Sequence, residues 1–329
     1  MKTRTLGANG PASSAIGLGC MGMSDLYGPS DRTESIATIH AALDAGVTLL
    51  DTGDFYGMGH NELLLAEALS GRRREDAVLS VKFGVLRDAQ GGWNGVDTRP
   101  VAVKNFAAYS LQRLGVDVID IYRPARLDPA VPIEETAGAV ANLIEAGLVR
   151  HFGLSEVGSD TIRRAHAVCP VSDLQIEYSL ISRGIEDEIL GTCRELGIAV
   201  TAYGVLARGL LSGHWSPSRT TGAADFRTHN PRFQGENLEK NLALVDELRA
   251  VAEAQGASVA QVAVAWVLSR GDDIVTLVGA RTRERLAESL GAADVELDAA
   301  ALERIEAAIP RGAAAGTRYP EGMMDALPT

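Results

Sequence analysis

The 329-residue sequence predicts a single-domain α/β fold, a (β/α)8 TIM barrel, and three observations carry that prediction. Eight short β-branched or apolar runs recur along the chain, most followed by an amphipathic helical pattern, and strands that alternate with helices pair in parallel. The units are spread evenly with no break in composition, which favours one closed barrel over an open doubly wound sheet. Glycine is abundant at 35 residues, as suits a fold with many tight strand-to-helix turns.

In chain order, strands are expected at 14–18 and 48–52, with helices over 34–45 and 62–69. Strand 78–82 leads to helix 100–114, strand 118–122 to helix 133–146, strand 151–154 to helix 160–168, and strand 174–177 to helix 185–196. Strands 199–203 and 274–278 complete the eight. Gly46, Gly115, Gly147 and Gly197 stand at helix ends, where a left-handed cap favours glycine. Three segments exceed ordinary loop length: the glycine-rich 87–99, the polar 207–235 and the aperiodic tail 310–329. Loops that follow barrel strands lie on the catalytic face, so the first two are expected as lid or pocket segments.

Hydrophobic residues at 46% and charged residues at 22% exclude a disordered or fibrous chain. The 31 Lys and Arg against 43 Asp and Glu give a net charge of −12, which argues against nucleic acid as a partner. An anionic ligand would need a local arginine cluster. Cys20, Cys169 and Cys193 are far apart with no C-x-x-C pair, so reduced thiols in a cytoplasmic protein are expected, with no metal site. No apolar run approaches the ~20 residues of a membrane helix, and the amino terminus lacks the apolar core of a signal peptide. Gly17-Leu18-Gly19-Cys20-Met21-Gly22 matches a dinucleotide fingerprint literally. The stretch after it is turn-rich through Pro29, and the first strand-end acid is Asp51, 29 residues beyond Gly22, so a strand-end loop is expected instead.

Asp51 and Tyr56 follow the second strand and Lys82 ends the third, so a barrel brings an acid, a phenol and an amine to one mouth. A phenol exchanges protons poorly near neutrality; a neighbouring ammonium would lower its pKa, and a buried carboxylate would hold that ammonium in place. Such a set suits proton delivery to a carbonyl oxygen. A Schiff-base aldolase built on Lys82 is the competing use of the same barrel, disfavoured by the nearby Asp51 and Tyr56.

Asp51 to Tyr56, Lys82, Gly153-Leu154-Ser155-Glu156, the segment from Leu174 to Tyr178 and that from Tyr203 to Gly213 together resemble the aldo-keto reductases. Segments 226–237 and 279–289 extend the resemblance, in order, over nearly the whole chain. It implies a barrel that binds NADPH in an extended pose and reduces small carbonyl compounds. Carried over by position, Tyr56 is the general acid, Lys82 its pKa-lowering partner and Asp51 the carboxylate on that lysine. Ser155 and Gln175 match contacts to the nicotinamide carboxamide, and Tyr203 the ring that stacks on it. Gly204, Leu206 and Arg208, then Gly279, Arg281, Arg285, Glu288 and Ser289, match the remaining cofactor segments. Arg281 and Arg285 would hold the 2′-phosphate, with Glu288 at the adenine.

Met21, Tyr27, Met58 and Trp93 are candidate pocket walls. Two positions depart from the family. Ala125 stands where a histidine usually polarises the carbonyl, with Arg123 or a water as a replacement donor and Arg126 expected to pair with Asp128. Glu156 stands where an asparagine is common. The alternative to a reductase is therefore a catalytically weakened NADPH-binding or sensor protein on the same barrel.

Overall fold

In the computed structural model, which describes residues 1–24, 26–219, 222 and 225–324, eight parallel strands close on themselves in chain order. They are β1 (Ile16–Gly19), β2 (Leu49–Gly53), β3 (Val78–Phe83), β4 (Ile119–Pro124), β5 (Val149–Ser155), β6 (Val171–Glu177), β7 (Ala199–Tyr203) and β8 (Ile274–Gly279). Six helices follow the first six strands in turn: α1 (Arg32–Asp44), α2 (His60–Leu69), α3 (Pro100–Leu114), α4 (Ile133–Glu145), α5 (Ser159–Val168) and α6 (Ile189–Glu195). Two helices, α7 (Gly235–Ala254) and α8 (Val259–Ser269), separate β7 from β8. Beyond β8 come α9 (Arg283–Leu290), α10 (Ala299–Ala308) and α11 (Glu321–Met324). The closed parallel barrel expected from the alternating pattern is the fold.

Helix ends follow local chemistry. Asp31 caps α1 by accepting from Glu34 N at 2.7 Å, and Ser258 with Gln261 forms a reciprocal capping box on α8. Gly115 ends α3 at φ +64°, the left-handed conformation that a residue with a Cβ adopts only under strain.

Strand alternation sets the barrel's polarity. At the amino-terminal end the inward residues are apolar: Leu49, Ile121, Ala199, Val275 and Leu277 pack around Leu6 of a hairpin (Thr3–Thr5 with Ala12–Ser14). Two residues further along β2, β4 and β7 the inward positions turn polar, giving Asp51, Arg123 and Thr201, while β8 stays apolar through Leu277. Gly17 leaves room for Leu49 and Leu277, whose carbons would lie 2.8–3.0 Å from an added Cβ, so the literal fingerprint serves barrel packing. No helix opens after Gly22; a 3-10 turn (Met21–Met23) precedes α1.

Several expected boundaries shift. Ser14 belongs to the hairpin, so β1 starts at Ile16. The fourth strand runs on through Arg123 and Pro124. The expected helix 185–196 divides into a 3-10 turn (Gly184–Glu186) and α6. Segment 87–99 contains half of an antiparallel ribbon, Val85–Arg87 with Trp93–Val96. Of segment 207–235, residues 220, 221, 223 and 224 lie outside the described residues, as do 325–329 of the tail; the described parts of the segment hold 3-10 turns at Ala207–Ser212, Phe226–His229 and Pro231–Phe233. Helix α8 escaped the periodic reading because it is buried almost all round, leaving no polar face to mark a helical period. Among the described residues, no single helix is long and apolar enough to cross a membrane.

Candidate active site

The carboxy-terminal ends of the strands bring Asp51, Lys82, Gln175 and Ser155 together, as the barrel requires. Gly53 is in register with Lys82, and Lys82 with Arg123; Gln175 lies between Ser155 and Thr201. Asp51 and Lys82 form a buried ion pair. The other Asp51 oxygen accepts from Ser80 Oγ at 2.9 Å and from Gln175 Nε2 at 2.7 Å. Gln175, expected at the carboxamide, is in the structure a strut that orients the Asp51 carboxylate. A lysine so paired and buried is not a free amine, which speaks against the aldolase.

Tyr56 sits in the turn after β2, 5% exposed, packed with Phe55, Val85 and Ala125 and flanked by Met21. Its ring meets Phe55 edge-on at 4.7 Å. The Lys82 ammonium lies over the ring face, 5.2 Å from its centroid. The expectation that Lys82 lowers the Tyr56 pKa is corrected by this arrangement. Burial, then the Asp51 carboxylate, push the phenol well above the ordinary tyrosine range, and the cation that opposes them is Arg126. The Lys82 charge is already spent on Asp51, while burial drives its own pKa down. Among the described residues, the Tyr56 hydroxyl has no hydrogen-bond partner.

Two expectations around Ala125 are overturned. Arg123 does not reach the pocket. It is an inward strand residue, 0% exposed, with Nη1 3.0 Å from Asp173 Oδ2 and Nη2 donating to Ser80 Oγ at 3.1 Å. Gly153 makes room for that pair, since an added Cβ would lie 3.0 Å from both partners. Arg126 does not pair with Asp128, which instead caps backbone N–H groups of Thr98 and Ala130. Arg126 stands beyond the end of β4 and turns into the mouth, with Nη1 on the Ala125 carbonyl at 2.6 Å and Nη2 on Tyr319 Oη at 3.4 Å.

Tyr319 comes from the tail, which had no periodicity to mark it. The tail is laid across the mouth by side chains of the β7–β8 segment. Asn241 exchanges two bonds with Ala315 at 2.8 and 2.9 Å, and Asn230 Nδ2 donates to Arg318 O at 2.8 Å. Arg318 then makes two hydrogen bonds to Glu156, at 3.1 and 3.3 Å. Tyr203 Oη donates to Glu156 Oε1 at 2.7 Å and lies 3.1 Å from Tyr319 Oη. A polar chain therefore joins Arg126, Tyr319, Tyr203 and Glu156. Glu156 also accepts from Glu177 N at 2.9 Å, so the unusual acid has a structural task. An arginine–tyrosine pair in a tail of small residues was the one signal of this docking.

The other expected residues are placed as follows. Gly204 (φ +66°) and Leu206 follow β7, and Arg208 returns to pair with Glu177 at 3.1 Å, its guanidinium 4.6 Å from the Tyr319 ring centroid. Ala207 and Arg208 are held at positive φ, as are Leu26, Met58 and Glu156, so the five non-glycine residues with this strain among the described residues lie in loops that follow barrel strands. After β8, Arg281 donates only to backbone carbonyls among the described residues, Tyr27 O at 2.9 Å and Pro29 O at 3.1 Å. Arg285 pairs with Glu288, which also meets His214 at 2.8 Å. Ser289 is buried on α9, and Gly279 ends β8 with open space where a side chain would begin. Trp93, 52% exposed, rests on Phe55 at the rim, whereas Met58 is 55% exposed and forms no buried wall. Tyr27 lies under Arg227, 5.2 Å from its ring centroid. Among the described residues, no group of three or more His, Cys, Asp and Glu side chains could hold a metal.

The model of the aldo/keto reductase family matches residues 15–310. The Glycine max protein named "Probable aldo-keto reductase 1" is 40% identical over 321 residues, 97% of this chain and 92% of that protein. The structure of glycerol dehydrogenase AKR11B4 from Gluconobacter oxydans superposes with a TM-score of 0.85 at 31% identity, covering 93% of this chain and 94% of the other. The holo form of aldo-keto reductase AKR11C1 from Bacillus halodurans does so at 0.76 and 27%, covering 94% and 96%.

Proposed function

Because this chain belongs to the aldo-keto reductase family, and is therefore an oxidoreductase of carbonyl and carbinol groups, we propose that it is an NADPH-dependent reductase in which Tyr56 gives its proton to the oxygen of an aldehyde, ketone or other activated carbonyl. The observation that carries this reading is the Tyr56 hydroxyl itself, held at the mouth by packing and left without a partner, above the Asp51–Lys82 pair. An acid that keeps its proton at neutral pH, with its hydroxyl unengaged among the described residues, is suited to protonating a developing alkoxide.

The residues present fit the cofactor. Ser155 Oγ is buried with no partner among the described residues, as an atom reserved for a ligand amide would be. Arg281 keeps a guanidinium with no carboxylate partner among them, and α9 begins two residues later, capped by Thr282. Bound there, NADPH would supply the hydride. Tyr203 offers the ring face for the nicotinamide, Arg208 a cation beside it, and Arg281 and Arg285 the charge for a 2′-phosphate. The ribbon around Trp93 and segment 207–235 flank the mouth and are read as pocket walls or lids. Three buried free cysteines suit a reducing cytoplasm.

Tyr56→Phe tests the assignment. NADPH oxidation with an activated aldehyde should fall about 10²- to 10⁴-fold, the usual worth of a general acid, while NADPH affinity, read by fluorescence titration, stays within about twofold of wild type, well inside the ~1.4 kcal/mol of a tenfold change. Equal rates in the two proteins would sink the mechanism. Ala125 favours one second reading, a catalytically weakened NADPH-binding protein. NADPH binding without Tyr56-dependent turnover on a broad carbonyl panel would select it, and Ala125→His should then restore turnover.

A further inference from the structure

The mouth of the barrel gathers three buried carboxylates, each faced by at least one cation. Asp51 has Lys82, Glu156 has Arg318, and Glu177 has Arg208 at 3.1 Å, with Arg232 and Arg318 at 3.6 and 3.8 Å. Another cation at the mouth stands outside these pairs. Arg126 is half-buried, and among the described residues no carboxylate lies within ion-pair distance of its guanidinium. Its two hydrogen bonds go to a backbone carbonyl and, at 3.4 Å, to the Tyr319 hydroxyl.

The place of this spare charge is specific. Ala125, the residue before it, belongs to the same small apolar cluster as Tyr56. Tyr319, its long-distance partner, touches Tyr203. Arg126 thus stands between the proposed proton donor and the proposed nicotinamide platform, where the reacting carbonyl must lie. Its field is felt on both sides: it opposes the upward shift of Tyr56, and against burial Tyr319, Tyr203 and the more distant Glu156 carboxylate raise its own pKa.

Polarising a neutral carbonyl needs a donor, but not a full uncompensated charge. A desolvated guanidinium without a counter-ion is costly, and its planar fork matches the two oxygens of a carboxylate. We infer that Arg126 is the specificity residue for a carboxylate on the substrate, so that the preferred substrates are short oxo acids whose carbonyl lies next to the acid group. This inference rests on the reductase reading above and narrows its substrate class. No new chemistry is required: the carbonyl carbon takes the hydride, its oxygen takes the Tyr56 proton, and the carboxylate is unchanged.

The test compares phenylglyoxylate with its methyl ester, which has the same carbonyl and no charge, in wild type, Arg126→Met and Arg126→Lys. Loss of a charge-assisted contact should lower the acid-to-ester ratio of kcat/KM by roughly 10- to 100-fold in Arg126→Met, and less in Arg126→Lys, which keeps the charge but not the fork. A ratio unchanged within about threefold, a difference of only ~0.65 kcal/mol, would overturn the assignment. Should the variants not fold, calorimetry on wild type saturated with NADP+ gives the same decision. Phenylacetate should bind at least about tenfold more tightly than phenylacetamide, and equal binding would overturn the assignment. The two readings fail separately. An unchanged ratio with Tyr56-dependent turnover removes only the role of Arg126, whereas turnover of either substrate that survives Tyr56→Phe removes the reductase mechanism.

Discussion

Tyr56 shows how much a single residue owes to the charges that face it. Asp51, Tyr27 and Tyr319 add to burial in raising its pKa, and Arg126 alone among the leading influences lowers it. For reduction the competent form is the protonated phenol. A raised pKa keeps that form populated, so activity is retained at low and neutral pH and lost only as pH climbs through the shifted value. We therefore expect kcat/KM for carbonyl reduction to stay level through neutrality and decline only above about 10, the ordinary tyrosine pKa. A decline centred near pH 8, measured with a substrate that does not itself titrate, would contradict this. Alcohol oxidation needs the phenolate and should rise over the alkaline range where reduction falls. Arg123 is the counterexample at the same scale. It is three residues from Arg126, yet it is sealed inside with Asp173 in a pair whose disruption would leave a buried charge, an error that costs about 3–5 kcal/mol.

At the scale of elements, the tail from Pro310 to Met324 is the part of the site with the least local reason to be there. It has no apolar period, and its place is fixed by Asn230, Arg232 and Asn241 on a segment about 80 residues earlier. Gly316 passes so close to Pro231 that a Cβ would lie 2.9 Å from its backbone carbon, and φ there is +83°. Asn241 makes two of the anchoring hydrogen bonds, both to Ala315, and is itself oriented by a third to Arg232 O. At about 1 kcal/mol each, the loss of the two tail bonds in Asn241→Ala favours release of the tail by about 2 kcal/mol. Trypsin should then cut after Arg311 and Arg318 at least tenfold faster, the open population rising with that free energy, while the barrel stays intact by mass spectrometry. An unchanged cleavage rate would show that Arg318 and Tyr319 hold the tail by themselves.

Over the whole molecule the charge is −12, yet the site proposed for the 2′-phosphate gathers arginines. Arg281 and Arg285 lie close enough to Arg219, together with Arg227, that after burial these guanidiniums hold Arg219 below the ordinary arginine range. Arg281→Ala should weaken NADPH by about 10- to 100-fold, the worth of a charge-assisted contact, and NADH by less than threefold, since only NADPH carries the 2′-phosphate. An equal loss for both would remove the phosphate contact. What the sequence by itself determined was everything written in local pattern. The eight strands, the first six helices, the glycine caps and the positions of Asp51, Tyr56 and Lys82 at strand ends all follow from alternation, periodicity and turn chemistry within a few residues. The tertiary structure decided which arginine reaches Tyr319 at the mouth and which is buried, because β4 extends to Pro124 and one strand residue more or less sends a side chain to the opposite face. It also decided that Arg318 and Tyr319 meet Glu156 and Tyr203, since no local preference encodes contacts between residues 116 and 162 positions apart. Those contacts exist only once the barrel has closed and brought the ends of its strands to a single mouth.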